Sequence, residues 1–349
     1  MENDMTEVKP YKKMMIFSHD DLDGMMAPVI LSCFLDQDAT LTVKHCKTGK
    51  YGTIDAEITA FLSQEDASSY DGICVTDLVP SDEVMADLHA FAKTFDIELR
   101  VFDHHQTAEH LMSLYPGEVY VYPRHNGSLT SATSVVFHHY MGVTPEAYLD
   151  ATFSKTNRRK YKRIAEFASI VRSWDCWDWT NDKDDRWGEQ ASDFNSLCHL
   201  IGRELFLQRF SVPHFWDNEE AIFSKTDRLL MDIENTSRDK YVQSHVERTQ
   251  FQVLELDRPY HVAYVTAESY KSILGNAMCK LTHPATGELV DFAIISDNGY
   301  LSLRSIGDMN VADIAKKYFN GGGHANAAGG FVPFDTFHII SNAALAGVL

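Results

Sequence analysis

The chain has 349 residues, and at about 100–200 residues per domain that length implies two compact domains. A hydrophobic fraction of 44% with 23% charged residues excludes a disordered or fibrous chain. The 31 Lys+Arg against 50 Asp+Glu leave a net charge of −19, which argues against holding long nucleic acid by phosphate neutralisation.

In chain order, MMIFS (14–18), LTVKH (41–45), GICVT (72–76), IELRVF (97–102) and EVYVY (118–122) are predicted strands, rich in β-branched and aromatic residues. Helices are predicted between them at about 25–35, 54–64, 81–94 and 107–114, the third started by Ser81. This alternation implies an α/β fold: a parallel sheet with helices on both faces. Two further helices, 129–142 and 158–174, end this unit near residue 180. Residues 181–250 are polar and acidic, with Trp187 and Trp216 as isolated anchors, and read as a helical linker. From 251 the strands FQVLEL, YHVAYVT, LVDFAIIS and YLSLRSI, with helices near 269–280 and 310–319, indicate a smaller C-terminal α/β domain over 251–349.

Six scattered cysteines without a CxxC pair suggest reduced, buried thiols. No run approaches the roughly 18–20 apolar residues of a membrane span, and MENDMTEVKPYKK lacks the apolar stretch of a signal peptide. A cytoplasmic protein without a membrane partner is expected.

The first strand runs into SHDDLDG, which places His19, Asp20, Asp21 and Asp23 within five residues. Carboxylates at that density repel one another, and a cation relieves the repulsion. A solvated acidic turn capping the next helix is the alternative. Two other strands end the same way: GICVT in Asp77, and IELRVF in Asp103-His104-His105. In an open parallel sheet the carboxyl ends of the strands line one ligand-binding edge. Asp175, at the end of the helix EFASIVRSW, is a further candidate. Oxygen and imidazole donors without thiolate favour Mn²⁺ or Mg²⁺, and there are enough of them for two ions.

Four ordered motifs, SHDDLDG, VTDL, FDHHQT and SWD, resemble those of the DHH phosphoesterases. SLRSIGDMNVADIAKKYFNGGGHANAAGG (302–330) resembles the substrate-binding domain that accompanies them in one branch of that family. NGSLTSATS, WDCWDW and AESYKSILGN are most similar to the nanoRNA phosphodiesterases of nanoRNase B type. The first motif is spaced His-x-Asp-x-Asp, shorter than the His-x-x-x-Asp-x-Asp of many members.

The resemblance implies a two-ion Mn²⁺ site, with Mg²⁺ as an alternative: His19 and Asp21 on one ion, Asp23, His104 and Asp175 on the other, and Asp77 bridging. It further implies that Asp103 orients an imidazole and that His105 faces the scissile phosphate. The expected reaction is hydrolysis of very short single-stranded oligonucleotides to nucleoside 5′-monophosphates, with no long duplex as substrate and a homodimer allowed. Hydrolysis of cyclic dinucleotides or of a pAp-type nucleotide, and a catalytically inactive nucleotide-binding module, are the alternatives.

In the C-terminal domain, Arg304 has the planar fork that grips phosphate. Gly322 and Gly323 beside His324 let backbone amides approach an anion. The basic run 155–163 reads as a solvated helix face, the Trp174, Trp177 and Trp179 cluster as a local core fixing Asp175, and His138 and His139 as structural.

Overall fold

The computed structural model describes residues 12–35, 38–46, 53–150, 158–180, 187–211, 216 and 222–332, with backbone alone at 158, 180, 189 and 324. The chain divides into two compact units, Met1–Met231 and Asp232–Leu349. Among the described residues, no helix is long and apolar enough to cross a membrane.

The first unit is built on strands β1 (Lys13–His19), β2 (Thr40–Cys46), β3 (Gly72–Thr76), β4 (Glu98–Asp103) and β5 (Val119–Val121). They form one sheet in the order β2-β1-β3-β4-β5, with every pairing parallel. The short strands β6 (Arg124–His125) and β7 (Ser128–Leu129) make a separate hairpin. Asn126 and Gly127 form its two-residue turn with φ of 50° and 86°, the left-handed pair that such hairpins require.

Helices α2 (Ile54–Leu62), α3 (Asp82–Phe95) and α4 (Leu111–Leu114) cover one face. In α3 the buried Met85, Leu88 and Ala92 fall on one side of the helix, so one apolar stripe meets the sheet. The other face carries α1 (Leu22–Ser32), α5 (Ala132–Met141), α6 (Pro145–Asp150), α7 (Arg158–Asp175) and α8 (Gly188–Phe210). Helix α8 is interrupted at Gly202, where φ is 76° and ψ 158°.

The described residues between 187 and 231 belong to the first compact unit rather than to a separate linker. Phe194, Phe206, Phe210 and Trp216 are buried in the first unit's core, because aromatic side chains of this size are too costly to leave in water. The unit boundary instead falls inside helix α9 (Lys225–Val246).

The second unit has a six-stranded sheet in the order β12-β13-β11-β10-β9-β8. Its strands are β8 (Gln250–Glu255), β9 (Pro259–Thr266), β10 (Phe292–Asp297), β11 (Tyr300–Arg304), β12 (Gly322–His324) and β13 (Ala327–Phe331). Only the β9–β10 pair is parallel. Helices α10 (Lys271–Met278) and α11 (Val311–Tyr318) pack on opposite faces, against two distinct apolar clusters. The glycine-rich segment forms a β-hairpin of β12 and β13.

Candidate metal centre

Strand order in the first sheet reverses between β1 and β3, the switch point at which open α/β sheets bind ligands. Ser18 at the end of β1 stands in register with Thr76 at the end of β3, and their hydroxyls are 2.6 Å apart. Ser18 Oγ also donates to the Gly24 carbonyl in the first turn of α1. That carbonyl is free because its helical partner would be the N–H of residue 28, which is Pro28. A proline inside α1 thus frees an acceptor that ties the helix to the strand.

The connection between β1 and α1 is tight. A side chain at Gly24 would place its Cβ 2.4 Å from the His19 carbonyl oxygen. Asp21 is the N-cap of α1 and accepts from Gly24 N at 3.0 Å, the bond that makes Asp a favoured cap. In this shortened motif His19 Nδ1 lies 2.8 Å from Asp21 Oδ2 and 3.5 Å from Asp77 Oδ2.

Asp77 follows β3 in the left-handed region, with φ of 62°, a conformation that Asp adopts more readily than most residues. Its N–H still bonds to Phe102 O at 3.0 Å, extending the sheet. Its side chain is 2% exposed, and the buried Oδ2 has no hydrogen-bond partner. On the other side of the carboxylate, Oδ1 lies 3.3 Å from His104 Nε2. The same His104 nitrogen is 3.5 Å from Asp175 Oδ2 and 3.9 Å from Asp23 Oδ2.

Three sets of donors each lie within 4.8 Å of one another: His19, Asp21 and Asp77; Asp23, His104 and Asp175; and Asp77, Asp103, His104 and His105. Asp77 belongs to two of them. Burial, followed by the charges of Asp21 and Asp23, pushes the Asp77 carboxyl well above the usual range. Asp175 is pushed up to about 7, again chiefly by burial and then, against the pull of His104, by Asp23 and Asp21. Burial lowers His19, but the adjacent carboxylates of Asp21 and Asp77 outweigh it and hold the imidazole up to about 11. Converging carboxylates, an orphaned buried oxygen and two imidazoles fit divalent cations of the oxygen- and nitrogen-seeking kind.

Asp103 is fully buried at the end of β4. Its Oδ1 lies 2.7 Å from His105 Nδ1, and its Oδ2 accepts the His105 N–H at 3.3 Å. The ring and backbone of His105 are thereby fixed by the residue two before it.

Several supporting residues escape a reading of motifs. The Asp23 carboxylate accepts the N–H groups of Ala132 at 2.6 Å and Thr133 at 2.9 Å, at the start of α5. His45, from β2, makes a 3.0 Å bond to the His19 carbonyl. Its position opposite Ser18 in the parallel register is the signal that could have found it. Asp175 ends α7, and the next residue's Cys176 Sγ donates to Thr130 O at 3.2 Å. Trp174, Trp177 and Trp179 stack beside it with centroids 5.0–6.3 Å apart.

In the second unit, Arg304 Nη1 donates to Ser302 Oγ and Leu303 O, and Nη2 to Ser272 Oγ. Burial pulls its pKa down to about 10. Its buried Nε has no partner. Register places Arg304, Ala327 and His324 abreast across β11, β13 and β12. The His324 side chain lies outside the described residues, whereas Gly322 and Gly323 are exposed on β12.

This hairpin and its neighbours coincide with a recognised module. Residues 257–338 match the DHHA1 domain. The fold resembles that of exonuclease RecJ bound to manganese, with a TM-score of 0.55, 14% identity, and coverage of 97% of this chain and 90% of RecJ. The DHH domain of a protein from a family of ribosomal proteins gives a TM-score of 0.53 at 14% identity, over 97% of this chain and 87% of that one. The chain shares the fold of these two proteins. A curated relative, the uncharacterized protein R106 of Acanthamoeba polyphaga mimivirus, is 25% identical over 251 residues, 67% of this chain. The chain spans about half the length of that relative, 49%.

Proposed function

We propose that the protein is a metal-dependent phosphodiesterase that hydrolyses very short oligonucleotides to nucleoside 5′-monophosphates. The observation that carries this reading is the buried Asp77 carboxylate between two donor sets, with His19 on one side and His104 on the other. His19, Asp21 and Asp77 would hold one divalent ion, and Asp77, Asp23, His104 and Asp175 a second. The manganese of the RecJ structure supports Mn²⁺ as the resident ion, with Mg²⁺ as a substitute. When bound, such ions acidify water and neutralise charge on phosphoryl oxygens.

The protein's own groups supply the rest. Asp103 accepts the His105 Nδ1 proton and leaves Nε2 to face substrate, where it can hold a proton for the departing oxygen. Arg304, with Gly322, Gly323 and His324, forms an anion site for a substrate phosphate, because a buried guanidinium with only neutral partners favours an anion. The acidic balance of the chain, −19, disfavours long polyanions.

Hydrolysis of two- to five-nucleotide RNA, cyclic dinucleotides, pAp and long single strands in Mn²⁺ tests the reading. Short RNA should be consumed fastest, with mononucleotides as products. Release of inorganic phosphate from pAp alone, or no turnover of any substrate, would overturn it.

A further inference from the structure

Beside the metal centre, the first unit contains a cavity of about 130 Å³ between the β6–β7 hairpin, α5, the start of α6 and the end of α7. That is about ten times the roughly 10–15 Å³ that a cavity needs to admit a single water. Rings and aliphatic groups stand on its wall beside several hydroxyl-bearing residues: His125 and His138 have centroids 4.4 Å apart, and Leu129 and Pro145 lie next to them. One acidic side chain and one guanidinium are among the lining residues. Glu146 and Arg172 both line the cavity, and Arg172 Nε holds Glu146 Oε1 at 2.9 Å. The Glu146 side chain is nevertheless 37% exposed, and no hydrogen bond engages its Oε2 among the described residues. His138 Nδ1 is buried without a hydrogen-bond partner.

The cavity is linked to the metal centre through neighbouring residues. Thr130 lines it, and the Thr130 carbonyl accepts from Cys176, the neighbour of Asp175. Ser134 also lines it, one residue beyond the Thr133 amide that holds Asp23.

We propose that this cavity is a nucleobase subsite that takes guanine, with Glu146 accepting from the base's N1–H and N2 amino group. The inference rests on the phosphodiesterase reading above for its role beside the scissile bond. A carboxylate only accepts hydrogen bonds, and guanine presents two adjacent N–H donors on its Watson–Crick edge. Imidazole and aliphatic walls suit a flat heterocycle. Arg172 holds the carboxylate in place, and is itself anchored by Asp178 at 2.7 Å and the Leu129 carbonyl at 3.2 Å.

Calorimetric titration of the full chain with guanosine, inosine and adenosine tests the subsite without phosphate and without turnover. Guanosine should bind about tenfold tighter than inosine, which lacks the N2 amino group, since one charge-assisted hydrogen bond is lost. Glu146→Gln should bring that ratio close to one. Leu129→Trp, which fills the cavity and leaves the Glu146–Arg172 pair in place, should remove guanosine binding. Equal binding of guanosine and inosine by the unmodified protein, or an unchanged ratio in Glu146→Gln, overturns the proposal. Hydrolysis of bis(p-nitrophenyl) phosphate in Mn²⁺ reports on the phosphodiesterase reading alone. Its absence beside an intact guanosine preference would sink that reading and leave the subsite standing.

Discussion

Asp23 and Ala132 are 109 residues apart in sequence, yet the Asp23 carboxylate accepts the Ala132 N–H at 2.6 Å. One oxygen pair therefore serves as a cap for α5 and also belongs to a donor set that could hold a metal ion. Asp23→Asn keeps one acceptor for the amides and removes the charge. It should cost about 1 kcal/mol of stability while weakening the Mn²⁺-induced rise in melting temperature. Asp23→Ala leaves both amides without an acceptor and should cost about 1–3 kcal/mol. Equal losses in the two variants, measured by urea denaturation, would rule out the capping role.

The Ser18 and Pro28 relationship makes a double-mutant cycle informative. Ser18→Ala strands the Gly24 carbonyl and should cost about 1–3 kcal/mol. In a Pro28→Ala background residue 28 regains an N–H for that carbonyl, so the same change should cost at least about 0.5 kcal/mol less. Additive effects would show that the two residues do not share the acceptor.

Asp77→Asn should raise the stability of the metal-free protein. It removes a charge from a cluster of carboxylates, and Asn accepts the φ of 62°. The same variant should lose stabilisation by Mn²⁺ and at least about 10²-fold in turnover. A lower melting temperature in chelator would contradict the account of repulsion.

Asp103→Asn replaces the carboxylate that faces His105 Nδ1 and the His105 N–H with a neutral amide that has a single acceptor oxygen. Turnover should fall by about 10²–10⁴, by analogy with other imidazoles that lose an orienting carboxylate. Stabilisation by Mn²⁺ should persist, and its loss would make Asp103 a ligand instead.

Burial, with the Arg100 guanidinium beside it, pushes the His139 imidazole down to about 4. Its Nε2 lies 3.1 Å from Arg100 Nη1, so the folded protein keeps this ring neutral. As pH falls below about 6.5, the unfolded chain takes up a proton there that the folded one refuses. Stability is lost from about pH 6.5 down to about 4. His139→Gln, which accepts without titrating, should flatten that limb in melting curves at pH 4.5–7. An unchanged slope would place the acid sensitivity elsewhere.

The strands of the first sheet are legible in the sequence because each is a short β-rich run that ends abruptly in Asp or His. The same abruptness points to the sheet edge where His19, Asp77 and Asp103 to His105 meet. What the sequence does not display is support from a distance. Nothing local to Asp23 marks the amides of Ala132 and Thr133, and nothing local to Ser18 marks the carbonyl freed by Pro28. The polarity of residues 181–250 concealed Phe194, Phe206 and Phe210, whose spacing along α8 buries them although their neighbours are polar. In GGGHANAAGG the absence of large side chains hides a strand pair that only register reveals.

The three indoles beside Asp175 lie close enough, at 5.0–6.3 Å between centroids, for their excited states to couple. That coupling depends on the angles between the rings, which the turn after Asp175 sets. The near-ultraviolet circular dichroism of this protein therefore contains an optical gauge of the position of one carboxylate. It can be read in solution without a label as Mn²⁺ is titrated in.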